Sequence, residues 1–134
     1  MNNHSIIVIK NKNNEYLQYY DERWNSFLFM NCKLDDNFNE NTIIDYVSEK
    51  LNIEKENISC FYIGDKVHKK YSVSALKEKE YHHYFYKVDI DINQNDFQIG
   101  DIKYCWYSYE KLKNDKRIME VNSDIVSFIK EFNL

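Results

Sequence analysis

The chain has no proline and only two glycines, Gly64 and Gly100. A glycine-rich phosphate loop and a dinucleotide-binding fingerprint both need several glycines close together, so both are excluded. Turns therefore fall to Asn and Asp, which tolerate left-handed backbone better than other side chains do. The runs Asn11-Lys12-Asn13-Asn14 and Asp35-Asp36-Asn37 are expected to make them. Cysteine is scarce as well. Cys32, Cys60 and Cys105 are odd in number and contain no C-x-x-C pair. This excludes a disulfide frame and a spaced zinc motif, and it fits the reduced thiols of a cytoplasmic protein. The longest early apolar run, residues 6–9 (IIVI), is too short for a signal peptide or a membrane span. The expectation is a cytoplasmic chain with no membrane partner. Positive charge is not in excess either: 18 Lys and Arg face 22 Asp and Glu, a net charge of −4. That balance argues against bulk nucleic-acid binding and leaves room for a local basic pocket holding a small anion.

Aromatic residues are plentiful, with 12 Tyr, 8 Phe and 2 Trp among 134 residues. Tyr suits positions with one dry and one wet end, as in half-buried strands or a cleft. The length fits one domain over residues 1–134, with no linker or repeat to divide it. Residues 5–10 (SIIVIK), 15–20 (EYLQYY) and 25–31 (NSFLFMN) read as three strands, the first two joined by the Asn-rich turn. A helix follows over residues 39–51, with Ile43, Ile44, Val47 and Leu51 on one face and Asn39 or Asn41 as its cap. Residues 58–63, 81–92 and 102–107 read as further strands, while 66–80 is polar and irregular. A short helix at 109–112 and a last helix at 123–132 complete the pattern. The expected class is α+β, a mixed sheet packed between helices in the order β-β-β-α-β-β-β-α.

Two constellations carry chemistry without any reference to a family. Lys66, His68, Lys69, Lys70, Lys77 and Lys79 cluster just before His82 and His83, with Ser72 and Ser74 among them. Such a segment is either a phosphate-holding loop beside aromatics or a solvated surface. His82 and His83 point to opposite faces of a strand, so they are no metal pair, and His83 shares its face with Tyr81 and Phe85. Arg23 and Trp24 are the second constellation. Arg pairs bidentately with phosphate and Trp stacks a base, although Trp24 is equally suited to closing a core. A cysteine nucleophile has no local signature here.

The element order, with one helix after an early hairpin, resembles the Nudix superfamily. Asp21-Glu22-Arg23-Trp24 ends the first strand pair where that family often has a Trp. Leu51-Asn52-Ile53 closes the helix where it has x-Gly-aliphatic, and the segment 101–112 is similar to its late acidic-x4-Trp-aliphatic-x4-Leu stretch. The family's catalytic box reads G-x5-E-x7-R-E-U-x-E-E-x-G-U, with U aliphatic. Anchored on Asn52-Ile53, its first Gly falls on Asn31 and its first Glu on Asn37. The R-E-U-x-E-E core falls on Asp45-Tyr46-Val47-Ser48-Glu49-Lys50, where only Val47 and Glu49 fit. In the family the helix glutamates hold magnesium ions that bind a diphosphate and activate water. Here Tyr46 and Lys50 replace two of them. Lys50 is then either a direct phosphate contact standing where a metal would be, or an ordinary solvated helix residue. A narrower similarity, over Asp21-x-Arg23-Trp24, Leu28-Phe29-x-Asn31-x-Lys33, residues 70–74, Tyr81-x-His83-x-x-Tyr86, Cys105-Trp106 and Asn122-x-Asp124, points to a divergent bacterial group linked to nucleotide second-messenger antiviral defence.

The resemblance implies a catalytically degenerate module that binds or senses a nucleotide, including a cyclic or oligomeric one, with no cofactor. Arg23, Lys33, Lys50, Lys70 and His83 would meet phosphates, and Trp24, Tyr46 and Tyr81 would line or stack the base. The alternative is an active magnesium-dependent pyrophosphatase using Asp45 and Glu49, adjacent on the helix. A scaffold with a protein partner and no small ligand is the third reading.

Overall fold

The computed structural model describes residues 2–33, 39–72, 76–92 and 94–134, with the backbone alone for residues 2 and 70–72. The Asp35-Asp36-Asn37 turn therefore lies outside the described residues. No described helix is long and apolar enough to cross a membrane.

β1 (Asn2–Ile9) carries an unbroken apolar run because both of its faces are covered. Ile7 and Ile9 join one core, and Ile6 and Val8 join the other. The Asn-rich turn leads to β2 (Glu15–Asp21). There the Asn11 side chain accepts hydrogen bonds from the Asn13 and Glu15 amides at 3.0 and 2.9 Å. Asn14 takes the left-handed backbone, with φ 59°. A turn with Asn25 at φ 50° leads to β3 (Ser26–Lys33). The turns use Asn as expected. Leu76, at φ 51°, is an exception.

α1 (Glu40–Leu51) begins at Asn39, whose side chain accepts from the Thr42 amide at 3.1 Å. It ends at Asn52 in the left-handed region, at φ 55°. That is the backbone a helix-terminating glycine usually takes, so Asn52 does at this position what glycine does elsewhere. Ile43, Val47 and Leu51 face the sheet.

After a single 3₁₀ turn at Lys55–Asn57 come β4 (Ser59–Ser72) and β5 (Lys77–Asp89), paired antiparallel along nearly their whole length. The segment 66–80, expected to be irregular, is thus mostly strand. Its charged side chains are compatible with a sheet because β4 is an edge strand with much of its surface exposed. The register shifts between Tyr62 and Gly64. At Gly64 a Cβ would sit 3.1 Å from the Phe132 ring, a tight contact that the ring would have to relieve by a few tenths of an ångström.

β6 (Phe97–Ile99) is a three-residue strand that was not expected. It pairs with β7 (Ile102–Ser108) through a turn at Gly100, φ 59°. α2 (Tyr109–Asn114) and α3 (Lys116–Glu131) follow. α3 starts seven residues earlier than the periodicity suggested, capped by Asp115, which accepts from the Ile118 amide at 2.9 Å. Asn122 breaks its helical backbone at φ −132°, ψ 31°. The break divides the apolar stripe into two short pieces, and only the second was long enough to read.

The seven strands form one mixed sheet in the order β4-β5-β1-β3-β2-β7-β6. β1 runs parallel to β5 and antiparallel to β3. α1 covers one face over Ile7, Leu17, Met30 and Trp106. On the other face, residues of α2 and α3 pack over Ile6, Val8, Phe29 and Phe85. This is the α+β sandwich expected, with helices on both sides of the sheet.

Candidate functional site

A cleft of about 480 Å³ opens between α1 and strands β2, β3 and β7. Arg23, Lys33, Tyr46 and Lys50 all line it. The half-buried Tyr46 ring is fixed at its far end, where its hydroxyl donates to the Asn31 carbonyl at 2.9 Å. Burial first, and then the neighbouring Cys32, Tyr104 and Glu49, push its pKa up to about 12. The phenol is therefore a neutral hydrogen-bond donor near neutral pH. Lys50 lies on the same helix face, with Nζ 5.7 Å from the centre of the Tyr46 ring.

The floor of the cleft is a chain of polar contacts. Asn31 donates to the Tyr19 hydroxyl at 3.2 Å, and Tyr19 donates to Asp21 Oδ2 at 3.1 Å. Arg23 donates to Asp21 through Nη2 at 3.0 Å, Nε at 3.3 Å and its main-chain N–H at 2.9 Å. Burial pushes the Asp21 carboxyl up, but the hydrogen bonds from Arg23 and Tyr19 outweigh it and leave the pKa below the usual carboxylate value. The Arg23 side chain is 82% exposed, against 6% for Asp21. A guanidinium has five N–H donors, so Arg23 is oriented by Asp21 and keeps donors for a ligand. A wider recess on the β7 side shares Tyr19, Asp21, Arg23 and Ile102 with the cleft. Among the described residues lining the cleft, Asp21 is the only carboxylate.

The other sequence-predicted residues sit elsewhere. Trp24, Tyr81 and His83 line a separate, smaller recess of about 100 Å³ on the α3 side. The expected single site is thus two, and they meet at His4 and Asn31, which line both. Their meeting follows from the sheet register, in which His4 pairs with His83 on one side and with Lys33 on the other. Asp45 is exposed and paired with Lys55 at 3.0 Å, and neither it nor Glu49 lines the cleft. The backbone of Lys70 lies in β4 opposite Lys79, while its side chain and that of Ser72 are outside the described residues, as are Asn37 and Ser74. Lys66 bonds Glu131 at 2.8 Å and stands over Phe128, turning part of the basic segment toward α3.

His4, Tyr19, Asp21 and Tyr104 also line the cleft, and the sequence assigned none of them a role, although Asp21 stands in a motif with Arg23. A signal for two of them existed: Leu17, Tyr19 and Asp21 alternate along β2, so the strand period carries Tyr19 and Asp21 to the α1 face together. His4 and Tyr104 have no such mark.

No family model matches the sequence, and no curated protein matches it. Solved structures do resemble the fold. One is an Ap4A hydrolase from C. elegans, at TM-score 0.61 and 17% identity over 99% of this chain and 96% of that one. Another is a Nudix-family hydrolase from Clostridium perfringens, at TM-score 0.58 and 15% identity over 97% and 94%. A third is a UDP-X diphosphatase, at TM-score 0.61 and 10% identity over 98% of this chain and 64% of that one. At such identities the likeness speaks to architecture alone, and the architecture of this chain is a Nudix-like fold.

Proposed function

We propose that the cleft beneath α1 binds a nucleotide-type ligand and holds it without hydrolysis. The observation that carries this reading is the composition of the cleft wall, where Arg23, Lys33 and Lys50 stand with one carboxylate already engaged by Arg23. Three cations suit phosphate, and Arg in particular suits its planar, bidentate recognition. A magnesium site needs several hard oxygen ligands close together, and the described cleft wall offers few. The Nudix-box alignment adds to this, since it puts Tyr46 and Lys50 where the family has metal-binding glutamates. Asn52, left-handed at the position of the box glycine, supports that alignment.

Tyr46 and Tyr19 offer aromatic surface to the base. Trp24, Tyr81 and His83 extend the surface past His4 and Asn31. Two adjoining recesses suit a ligand with more than one nucleotide unit, in keeping with the cyclic or oligomeric messengers of the antiviral defence group that the sequence resembles.

The names of the structural neighbours favour a second reading, a magnesium-dependent pyrophosphatase using Asp45 and Glu49. It requires Asp45 to leave Lys55. The test is incubation with nucleotides, dinucleotides and cyclic oligonucleotides plus magnesium, followed by filtration and chromatography of both fractions. The proposal expects intact retained ligand, and a loss of affinity of about 10- to 100-fold in Lys50→Ala, the worth of one charge-assisted contact. Conversion of the ligand, abolished by chelator and by Asp45→Asn or Glu49→Gln, would establish the second reading instead. Neither retention nor conversion would leave the protein-scaffold reading.

A further inference from the structure

We infer that His68, His83 and Asp124 form a binding site for one divalent transition-metal ion, with zinc as the best match. This site stands apart from the cleft. His68 comes from β4, His83 from β5 and Asp124 from α3, and one ligand atom from each lies within 4.8 Å of the other two. The two imidazole centres are 4.6 Å apart, with their planes inclined at 59°. His68 Nε2 is in direct contact with Asp124 Oδ2, and His83 Nδ1 is 4.0 Å from the same oxygen. Only 5–19% of these side chains is exposed: 14% for His68, 5% for His83 and 19% for Asp124.

The register explains why the histidines converge. His68 pairs with Tyr81 and His83 with Lys66, so the two are diagonal neighbours on one face of the β4–β5 hairpin. α3 lies over that face, and its backbone departs from helix at Asn122, two residues before Asp124. Aromatic rings border the pair: Phe128 is 5.4 Å from the His68 ring, Phe85 is 6.5 Å edge-on to the His83 ring, and Tyr81 and His4 lie 5.9 and 6.3 Å from His83.

The donor set selects the metal. Two imidazoles and one carboxylate suit zinc and its neighbours, whereas magnesium and calcium prefer oxygen alone. Ligand atoms around tetrahedral zinc, at bonds of about 2.0–2.1 Å, stand roughly 3.3 Å apart. The present spacing reaches that by side-chain movements on the order of 1 Å. The contact between His68 and Asp124 opens to admit the ion, and water completes the shell. Bound there, the ion would clamp α3 to the β4–β5 hairpin. It would also fix His83, which lines the recess beside Trp24 and Tyr81.

The competing account is a histidine–aspartate hydrogen-bond cluster that takes no ion. To separate the two, chelator-treated full-length protein is dialysed against zinc and assayed by elemental analysis and thermal melting, with cobalt(II) absorption as a geometric probe. The expected result is one zinc per chain, a melting temperature raised by several degrees, visible ligand-field bands with cobalt, and no response to magnesium. His83→Gln and Asp124→Asn lose uptake, whereas His82→Gln, whose partner is Asp65 at 2.5 Å, keeps it. X-ray absorption of zinc-loaded wild type, which needs no variant to fold, should show two imidazole nitrogens in the first shell. Absence of stoichiometric uptake by wild type overturns the inference, as does equal uptake by His83→Gln and Asp124→Asn, or a first shell containing sulfur.

Discussion

Tyr46 on α1 donates its hydroxyl hydrogen to the main-chain oxygen of Asn31 on β3, across 2.9 Å. This bond joins the helix to the strand at the back of the cleft. Tyr46→Phe keeps the ring and removes the donor, leaving a part-buried carbonyl without that bond. A loss of about 1 kcal/mol in unfolding free energy is expected, measured by urea denaturation. A larger loss, about 2–4 kcal/mol, is expected for Val47→Ala, whose side chain is fully buried against the sheet.

Acid should expose the work of Asp21. Its pKa is lowered from the ordinary 3.8 in the folded chain, so it binds its proton more weakly there than when unfolded. The stabilisation is therefore fully present above that ordinary value and is lost as pH falls through the folded value. Wild type should exceed Asp21→Asn in stability near neutrality, and the gap should close only in strong acid, below about pH 4. Urea midpoints of both proteins across that range give the answer. A gap that is constant with pH would mean that Arg23 and Tyr19 do not favour the charged form.

Asn52 makes a third case. At φ 55° Asn52→Ala keeps the Cβ but loses the short polar side chain that lets Asn tolerate this backbone, and it should cost about 1 kcal/mol. Asn52→Gly should be neutral or slightly stabilising, because glycine enters this region freely. Thermal melting of the pair decides it, and equal destabilisation by both substitutions would mean that the Asn side chain itself matters.

Cys60 should be inert in the native chain. Burial above all, and then Glu40, push its thiol up to about 12. The reactive thiolate is then roughly one part in 10⁴ at pH 8. Iodoacetamide should leave Cys60 unmodified in the folded protein and label it in urea, as read by peptide mass spectrometry. Rapid native labelling would show that β4 opens.

Most of the architecture was legible because each element carried its own period. Ile43, Val47 and Leu51 gave α1, and the β-branched run of residues 6–9 gave the central strand. β6 was not legible: three residues carry no period, and Phe97–Ile99 is a strand only because β7 lies beside it. The hairpin arm in 66–80 was hidden for a different reason. Lysines on an edge strand look like a loop when the partner strand is not known. Of the residues that share the cleft, Tyr46 and Lys50 came from the box alignment, Arg23 from its place beside Trp24 after a strand, and Lys33 from the narrower similarity. The division into two recesses was not legible, because it depends on which face of the sheet each side chain occupies across β1. The His68–His83–Asp124 cluster was invisible for a related reason. Its members are separated by 15 and 41 positions, as 83 − 68 and 124 − 83, and only the register and the break in α3 bring them together.

The parallel pairing of β1 with β5 also governs the order in which the molecule assembles. The β4–β5 hairpin is local, and isolated hairpins close in about 1–10 μs. β1 must instead find a partner 79 positions away, as 81 − 2, with every other strand but β6 and β7 between them in sequence. Long-range pairing of this kind is slow, because the entropy of closing the loop is lost before the contacts are gained. His4 is therefore expected to reach His83 later than Lys33, which is only 29 positions away, as 33 − 4, and the junction of the two recesses should be absent from a half-folded chain. Ligand capture during refolding thus times the final step of folding itself.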